Sequence, residues 1–210
     1  MLMRTDRLSI RVRRGTRAEH DAAQRSGFLE ALANGGLPQQ AYADLTAQHW
    51  FVYEALESAG DRLATDPVVR RFRFPELVRL PAIEQDLRFL YGTGWAGRIE
   101  PLPATSTYRA RLGEIGPIGF VAHHYTRYIG DLSGGQYLGP AIARSYGLNG
   151  DGHRFFVFAE IDPPTFKKRY RALLDSPDWS RAEQDAFVAE VVEAYRLNIA
   201  VLDRLKERWS

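Results

Sequence analysis

Residues 117–146 have the apolar spacing of one helix, but glycines interrupt that helix near its middle. Apolar and aromatic side chains recur there at intervals of three and four residues: Val121, Tyr125, Tyr128 and Leu132. Gly130, Gly134 and Gly135 fall within the same stretch, and each interior glycine costs about 1 kcal/mol relative to alanine. Gly130 and Gly134 are one turn apart and leave one face bare. Their spacing alone leaves two explanations equally open, namely close packing of another helix or contact with a flat ligand.

The rest of the chain has the same helical periodicity, and no segment sustains the two-residue alternation of a β-strand. The 210 residues are enough for one large hydrophobic core, and the apolar share of 45% is ordinary for a globular protein. We therefore predict an all-α fold in which residues 1–210 form a single domain. Within it, about residues 1–12 are predicted to be a disordered lead-in.

Composition excludes several classes of protein. The absence of cysteine excludes disulfides, thiolate metal sites and thiolate-bound haem. The net charge of +2 is too small to indicate nucleic acid as a partner, and no apolar run is long enough to act as a membrane anchor. No Glu-x-x-His pair is present, which argues against a di-iron helical bundle. A cytoplasmic location fits these features.

His20 is the first candidate ligand-binding residue. It lies off the apolar stripe of its predicted helix, on a face shared with the small residues Ala23 and Gly27 and with Gln24. Such a face leaves room for a broad planar group. A lone helical histidine is nevertheless far more often solvent-exposed or part of a core than a ligand, so the residue alone does not decide.

Residues 125–136, Tyr-Thr-Arg-Tyr-Ile-Gly-Asp-Leu-Ser-Gly-Gly-Gln, resemble the distal-helix motif of the haem oxygenase family. The resemblance extends in order over roughly residues 11–205 and includes further matching stretches: 16–20, 52–57, 74–77, 87–92, 155–158, 166–171 and 197–199. It implies an all-α, single-domain helical bundle in which haem is sandwiched between a proximal helix and a kinked, glycine-rich distal helix.

The resemblance also implies roles for individual residues. His20 matches the axial ligand of the haem iron, and Gly130 and Gly134 match the glycines whose backbone lies against the distal haem face. Asp131 matches a carboxylate that acts through ordered water to control protonation during oxygen attack on the porphyrin edge. The residues matching those at the haem propionates are Arg13, Arg17, Tyr125, Lys167 and Arg171. Asn198 matches a polar residue of the distal network or of the helix packing.

Three positions depart from the family pattern. Gln24 stands where several relatives have a glutamate that orients the axial histidine, and its carbonyl can still accept the Nδ1 proton. Trp50 stands where mammalian members have a tyrosine near the distal water network, and is expected to leave only an indole N–H there. Pro140 is expected to end or kink the distal helix just after the motif.

The resemblance implies a haem oxygenase, an enzyme for which haem b is both cofactor and substrate and O2 is the co-substrate. The products would be biliverdin, carbon monoxide and ferrous iron. No flavin or nicotinamide fingerprint is present, so an external electron donor is expected: a ferredoxin, a flavodoxin or a reductase. We expect a monomer. The alternatives are a haem carrier or sensor without turnover, and a helical interaction module without any cofactor.

Overall fold

The computed structural model describes residues 7–210, apart from the side chain of Gln24, and contains no strand among those residues. The predicted all-α class is confirmed. The α-helices are α1 (Leu8–Gly15), α2 (Arg17–Gln24), α3 (Gly27–Ala33), α4 (Gln39–Arg62), α5 (Leu80–Tyr91), α6 (Pro103–Glu114), α7 (Pro117–His124), α8 (Gln136–Tyr146), α9 (Pro163–Leu174) and α10 (Arg181–Trp209). Short 3-10 turns lie between some of them: Val69–Phe72, Pro75–Leu77, Trp95–Gly97 and Arg154–Phe156.

Two long helices organise the hydrophobic core. Helix α4 packs against α5 and α6, and α10 packs against α7, α6 and α2. Helix α10 begins with a capping box, in which the Ser180 hydroxyl accepts from the Glu183 N–H and the Glu183 carboxylate accepts from the Ser180 N–H. Its inward face buries apolar residues such as Phe187, Val191 and Leu205, which share one continuous core with α4.

The predicted disordered lead-in is wrong for the part that the structure describes. Residues 8–12 belong to helix α1, which packs against α9 and α10. The Leu8 and Val12 side chains are buried, and each such burial contributes about 1.5–3 kcal/mol. The Asp175 carboxylate also accepts hydrogen bonds of 2.8 Å from the Ser9 N–H and hydroxyl. These contacts with the far end of the chain offset the entropy of ordering the segment. Residues 1–6 lie outside the described residues.

The glycine-rich segment is continuous with α7 and α8 but is not a uniform α-helix. Two π-helical turns, Tyr125–Ile129 and Asp131–Gly135, join the two α-helices. Such turns widen a helix locally and are frequent at functional sites. Helix α8 continues through Pro140 to Tyr146, so Pro140 does not end it. Burial of Ala141 and Ile142 around the proline outweighs the one hydrogen bond that the ring removes.

Candidate functional site

The glycines of the π-helical segment fall into two groups. A Cβ built on Gly130 or Gly134 would meet no neighbouring atom within 4 Å among the described residues. A Cβ on Gly135 would lie 3.3 Å from the Phe156 ring, and one on Gly139 would lie 2.5 Å from the Phe156 Cβ. Both explanations for the glycines are therefore present in the structure. Gly135 and Gly139 allow close packing, whereas Gly130 and Gly134 form an exposed face that residues 7–210 leave uncovered.

Asp131 lies between these two exposed glycines and belongs to a buried polar network. The Tyr53 hydroxyl donates a hydrogen bond to Asp131 Oδ2. The Arg127 guanidinium lies 5.0 Å from the centre of the Tyr53 ring and donates to Asn198 Oδ1. Burial raises the pKa of Asp131, while the charges of Arg127 and Arg79 and the hydrogen bond from Tyr53 oppose that rise. The carboxyl group is thus held in one orientation and is easier to protonate than an ordinary aspartate.

The hydroxyl beside Asp131 comes from Tyr53, and the expectation that Trp50 leaves only an indole N–H at this place is wrong. Trp50 lies one turn earlier on α4 and packs against Trp95, with ring centres 5.4 Å apart. Its Nε1 is buried and has no hydrogen-bond partner among the described residues. Trp50 therefore belongs to the aromatic packing beside α4, because the π-helical turn places Asp131 beside the next turn of that helix.

His20 is half exposed on α2, with 48% of its side chain accessible. Its Nδ1 lies 3.3 Å from Asp21 Oδ1, and its ring meets the Tyr195 ring of α10 edge-on at 6.2 Å. The partner of Nδ1 is thus the neighbouring aspartate in this structure. The side chain of Gln24, which was the predicted partner, lies outside the described residues.

The predicted propionate-binding residues are partly brought together. Burial raises the pKa of Tyr125, and the positive charges of Arg171 and Arg13 act against that rise. A hydroxyl and two exposed guanidinium groups therefore share one region at α1, α9 and the π-helical segment. Lys167 Nζ donates to Ser133 Oγ over 3.2 Å, next to Gly134. Arg17 is exposed, and its Nε lies 3.9 Å from Asp21 Oδ2.

His123 and His124 have hydrogen-bonding partners within the core, whereas the buried Nδ1 of His153 has none among the described residues. His123 Nε2 lies 2.9 Å from Glu190 Oε1, and the ring is fully buried. His124 Nδ1 lies 3.0 Å from the Tyr170 hydroxyl, and burial lowers the pKa of His124 to about 3. Burial and then the charge of Arg127 also lower the pKa of His49. Among the described residues, no group of three or more histidine or carboxylate side chains could hold a metal ion.

The chemistry of these residues fits the groups that a haem would need. The exposed Gly130–Gly134 backbone offers a flat apolar contact, His20 offers an imidazole on another helix, and the cations near Tyr125 and Ser133 suit two carboxylates. Fold and site are thus those of an all-helical protein with an open, glycine-lined face beside a hydrogen-bonded carboxylate. No helix in the described part of the chain has the length and apolar character needed to cross a membrane.

Comparison with known proteins agrees with this class. The family model described as heme oxygenase matches residues 6–204. The heme oxygenase of Rhodella violacea is 36% identical over 96% of this chain and 88% of its own length. Heme oxygenase 1 of Nostoc is 35% identical over 95% of this chain and 86% of its own length.

Solved structures extend the agreement to three dimensions. Heme oxygenase-1 of Synechocystis, crystallised in complex with heme, has a TM-score of 0.90 at 32% identity, covering 96% of this chain and 93% of that one. The Leptospira interrogans heme oxygenase has a TM-score of 0.88 at 36% identity, covering 94% and 98%. This chain therefore belongs to the haem oxygenase family. The family consists of haem-degrading enzymes whose general products are biliverdin, carbon monoxide and iron.

Sequence reasoning missed three residues of the site. Tyr53 lies inside a matching stretch but carries no signal that it reaches Asp131, 78 residues later in the chain. Arg127 could have been found, because it is the one Lys or Arg between Pro117 and Gly135, four residues before Asp131. The role of Phe156 is visible only where its ring meets Gly135 and Gly139.

Proposed function

We propose that this chain binds haem b as its substrate against Gly130 and Gly134 and cleaves it to biliverdin, carbon monoxide and ferrous iron. O2 would be the co-substrate, and electrons would come from an external donor. The observation that carries the proposal is the placement of Asp131, a hydrogen-bonded carboxyl group between two glycines whose outward face no described residue covers. A protein that only stores haem needs the open face and a ligand, but has no use for such a carboxyl group.

His20 would bind the haem iron. Because Nδ1 faces the Asp21 carboxylate at 3.3 Å, Nε2 is the ring nitrogen left for the metal. A neutral imidazole allows ferrous haem to bind O2 without the strong electron push of a thiolate. Asp21 would fix the tautomer and make the imidazole more basic, and Gln24 would be a second candidate for this role.

The haem propionates would be held at the edge of the site by hydrogen bonds and charge. Arg13 and Arg171 act on the same hydroxyl, that of Tyr125, and can together receive one carboxylate. Lys167, which already contacts Ser133 beside Gly134, is placed for the other. Arg17 would add positive charge at the end of α2. Because α1, α2 and α9 each supply a cation, this edge would set how haem is rotated in the site.

Asp131 would direct protons during the reaction. Tyr53 donates to Oδ2, which leaves Oδ1 to orient a water molecule towards the open face. Arg127 stabilises the ionised carboxylate from behind and is itself held by Asn198. This arrangement would hold a proton donor for the attacking oxygen in a fixed position. It would thereby favour attack of that oxygen on the porphyrin over its consumption in other reactions.

The external donor would be a ferredoxin, a flavodoxin or a reductase that docks on the exposed cations at the haem edge. We further propose that the protein is a single domain, is a monomer and works in the cytoplasm. High ionic strength should then slow turnover with an acidic ferredoxin much more than turnover with ascorbate, a small reductant. Equal salt sensitivity with both reductants would argue against an electrostatic docking site.

The test is haem turnover by the purified protein and two variants. Haemin should produce a Soret band, and a reducing system in air should then yield biliverdin and one carbon monoxide per haem. His20→Ala should weaken haem binding and abolish turnover, and added imidazole should restore it. Asp131→Asn should bind haem as the parent does but yield little biliverdin. A protein that binds haem without forming biliverdin would be a carrier or sensor, and one without a Soret band would be neither.

A further inference from the structure

Asp86 on α5 is a fully buried carboxyl group outside the proposed haem contacts. Its Oδ1 accepts a hydrogen bond from the Arg154 N–H, and its Oδ2 accepts one from the Phe155 N–H, both of 2.8 Å. Each oxygen is therefore used to hold the backbone of the 3-10 turn Arg154–Phe156. A buried carboxyl group with two short backbone hydrogen bonds fixes that turn in position relative to α5.

The turn Arg154–Phe156 places one aromatic ring against the glycine-rich helix and another against Tyr53. The Phe156 side chain fills the space beside Gly135 and Gly139, where a Cβ would lie only 3.3 Å and 2.5 Å from it. The Phe155 ring lies 5.4 Å from the Tyr53 ring, edge-on. One ring therefore supports the glycine-rich helix that carries Asp131, and the other supports the tyrosine that donates to Asp131.

The turn depends on side chains from other helices. Gly150 and Gly152, which precede it, both have positive φ values, of 92° and 82°, and allow the chain to reverse there. The Tyr42 hydroxyl donates to the Gly152 carbonyl over 2.7 Å, and the Arg79 guanidinium donates to the Val157 carbonyl over 2.9 Å. Within the turn, Arg79 donates to the Phe155 carbonyl over 3.4 Å and Gln136 donates to the Phe156 carbonyl over 3.5 Å. Asp86 instead accepts from the two backbone N–H groups of Arg154 and Phe155, with the shorter hydrogen bonds.

We propose that Asp86 is a positioning residue for haem cleavage. It fixes the Phe155 and Phe156 rings, and through them the position of the Asp131 carboxyl group beside the exposed face of the glycines. The inference rests on the proposed function. It assigns a part in oxygen chemistry to a carboxyl group that touches neither haem nor Asp131. Displacement of catalytic groups by about 1 Å can cost about a hundredfold in rate, so a loosened turn should be visible in the products.

The charge of Asp86 supplies an independent signature. Burial raises its pKa to about 6, against the two backbone hydrogen bonds and the charges of His153 and Arg154. Tyr42, the other titratable group that faces it, stays neutral because burial raises its pKa. Near pH 8 the Asp86 carboxylate is ionised and accepts hydrogen bonds from both backbone N–H groups. Near pH 5 one oxygen is protonated, which weakens the hydrogen bond to that oxygen. The hydrogen bonds between Asp86 and the turn should therefore weaken as the pH falls through about 6.

Asp86→Asn is the central variant, because it keeps the side-chain size but turns an NH2 group towards one of the two N–H donors. The matched control is Asp66→Asn, since Asp66 Oδ1 accepts from the Val68 and Val69 N–H groups at 2.8 Å and 3.0 Å in a turn that supplies no residue to the proposed site. We expect Asp86→Asn to bind haemin within about twofold of the parent but to form about tenfold less biliverdin per turnover. Asp66→Asn should keep the parental yield.

The pH profile separates positioning from general stability. The parental biliverdin yield should fall with a midpoint near pH 6, whereas Asp86→Asn should give a low yield that lacks this step. Parental yield in Asp86→Asn, or an equal loss in Asp66→Asn, would overturn the inference while leaving the proposed function intact. If Asp86→Asn does not fold, Phe156→Leu replaces it, with the same expected loss and the same contradicting result. Absence of biliverdin from the parent would instead defeat the proposed function.

Discussion

Replacing Gly134 and Gly139 separately by alanine should have opposite effects on the stability of the haem-free protein. Both glycines lie on the same continuous helical segment, which makes them a matched pair. The alanine Cβ at position 134 meets no described atom within 4 Å, whereas the Cβ at position 139 would lie 2.5 Å from the Phe156 Cβ. The two substitutions therefore share one chemistry and differ only in what they touch.

The magnitudes follow from helix propensity and overpacking. Gly134→Ala should stabilise the haem-free protein by about 1 kcal/mol, because alanine is the better helix former. For a chain of this size that corresponds to a melting temperature about 2–4 °C higher. Gly139→Ala gains the same helix-propensity stabilisation but also overpacks the core, which costs about 1–3 kcal/mol. The overpacking cost should lie at the upper end of this range, because no change of rotamer moves the Cβ of Phe156. We therefore expect Gly139→Ala to lower the free energy of unfolding by about 2 kcal/mol.

The effect on haem reverses the order of the two variants. At position 134 the new methyl group projects onto the face proposed to contact the porphyrin, so Gly134→Ala should weaken haem binding and lower the biliverdin yield. Thermal unfolding of the haem-free proteins, haemin titration at the Soret band and single-turnover absorbance measure these quantities. A Gly134→Ala protein that melts below the parent, or that handles haem as the parent does, would refute the assignment of this glycine to a ligand.

Two further perturbations test the buried polar groups. Tyr53→Phe removes the donor to Asp131 and should cost about 1–3 kcal/mol in urea unfolding together with most of the biliverdin yield; an unchanged yield would contradict the role given to this hydroxyl. Burial raises the pKa of Glu190, but the hydrogen bonds from His123 and Arg111 dominate and lower it from 4.5 to about 2. A depressed carboxyl pKa contributes stability above the unfolded value that is lost as the pH falls, here roughly 1–3 kcal/mol between pH 4.5 and 2 because solvent screens the half-exposed Arg111. Glu190→Gln should lose this part of the pH dependence of the unfolding free energy, and parallel curves for variant and parent would contradict it.

The contiguous parts of the site could be predicted from the sequence. Gly130, Asp131 and Gly134 share one motif, and the periodicity of the chain gave the all-α class without reference to any relative. Glycine spacing could not separate packing from ligand contact, because the deciding partner of Gly139 is Phe156, which belongs to a turn after α8. The structure resolves this by placing different glycines against protein and against open space.

Contacts between distant segments account for the errors. The first helix has little helical signal of its own and is ordered by Asp175, 166 residues away. Tyr53 and Trp50 differ by less than one turn of α4, so sequence alone could not say which of them faces Asp131. In both cases tertiary packing, rather than local propensity, decided the outcome.

A crystal structure of the haem complex is the most direct test of the proposed site. We expect an iron bond to His20 Nε2, a porphyrin plane in van der Waals contact with the Gly130 and Gly134 backbone, and a water molecule between Asp131 and the distal side of the iron. Iron bound by another histidine, such as His49, or a porphyrin lying away from the two glycines would contradict it.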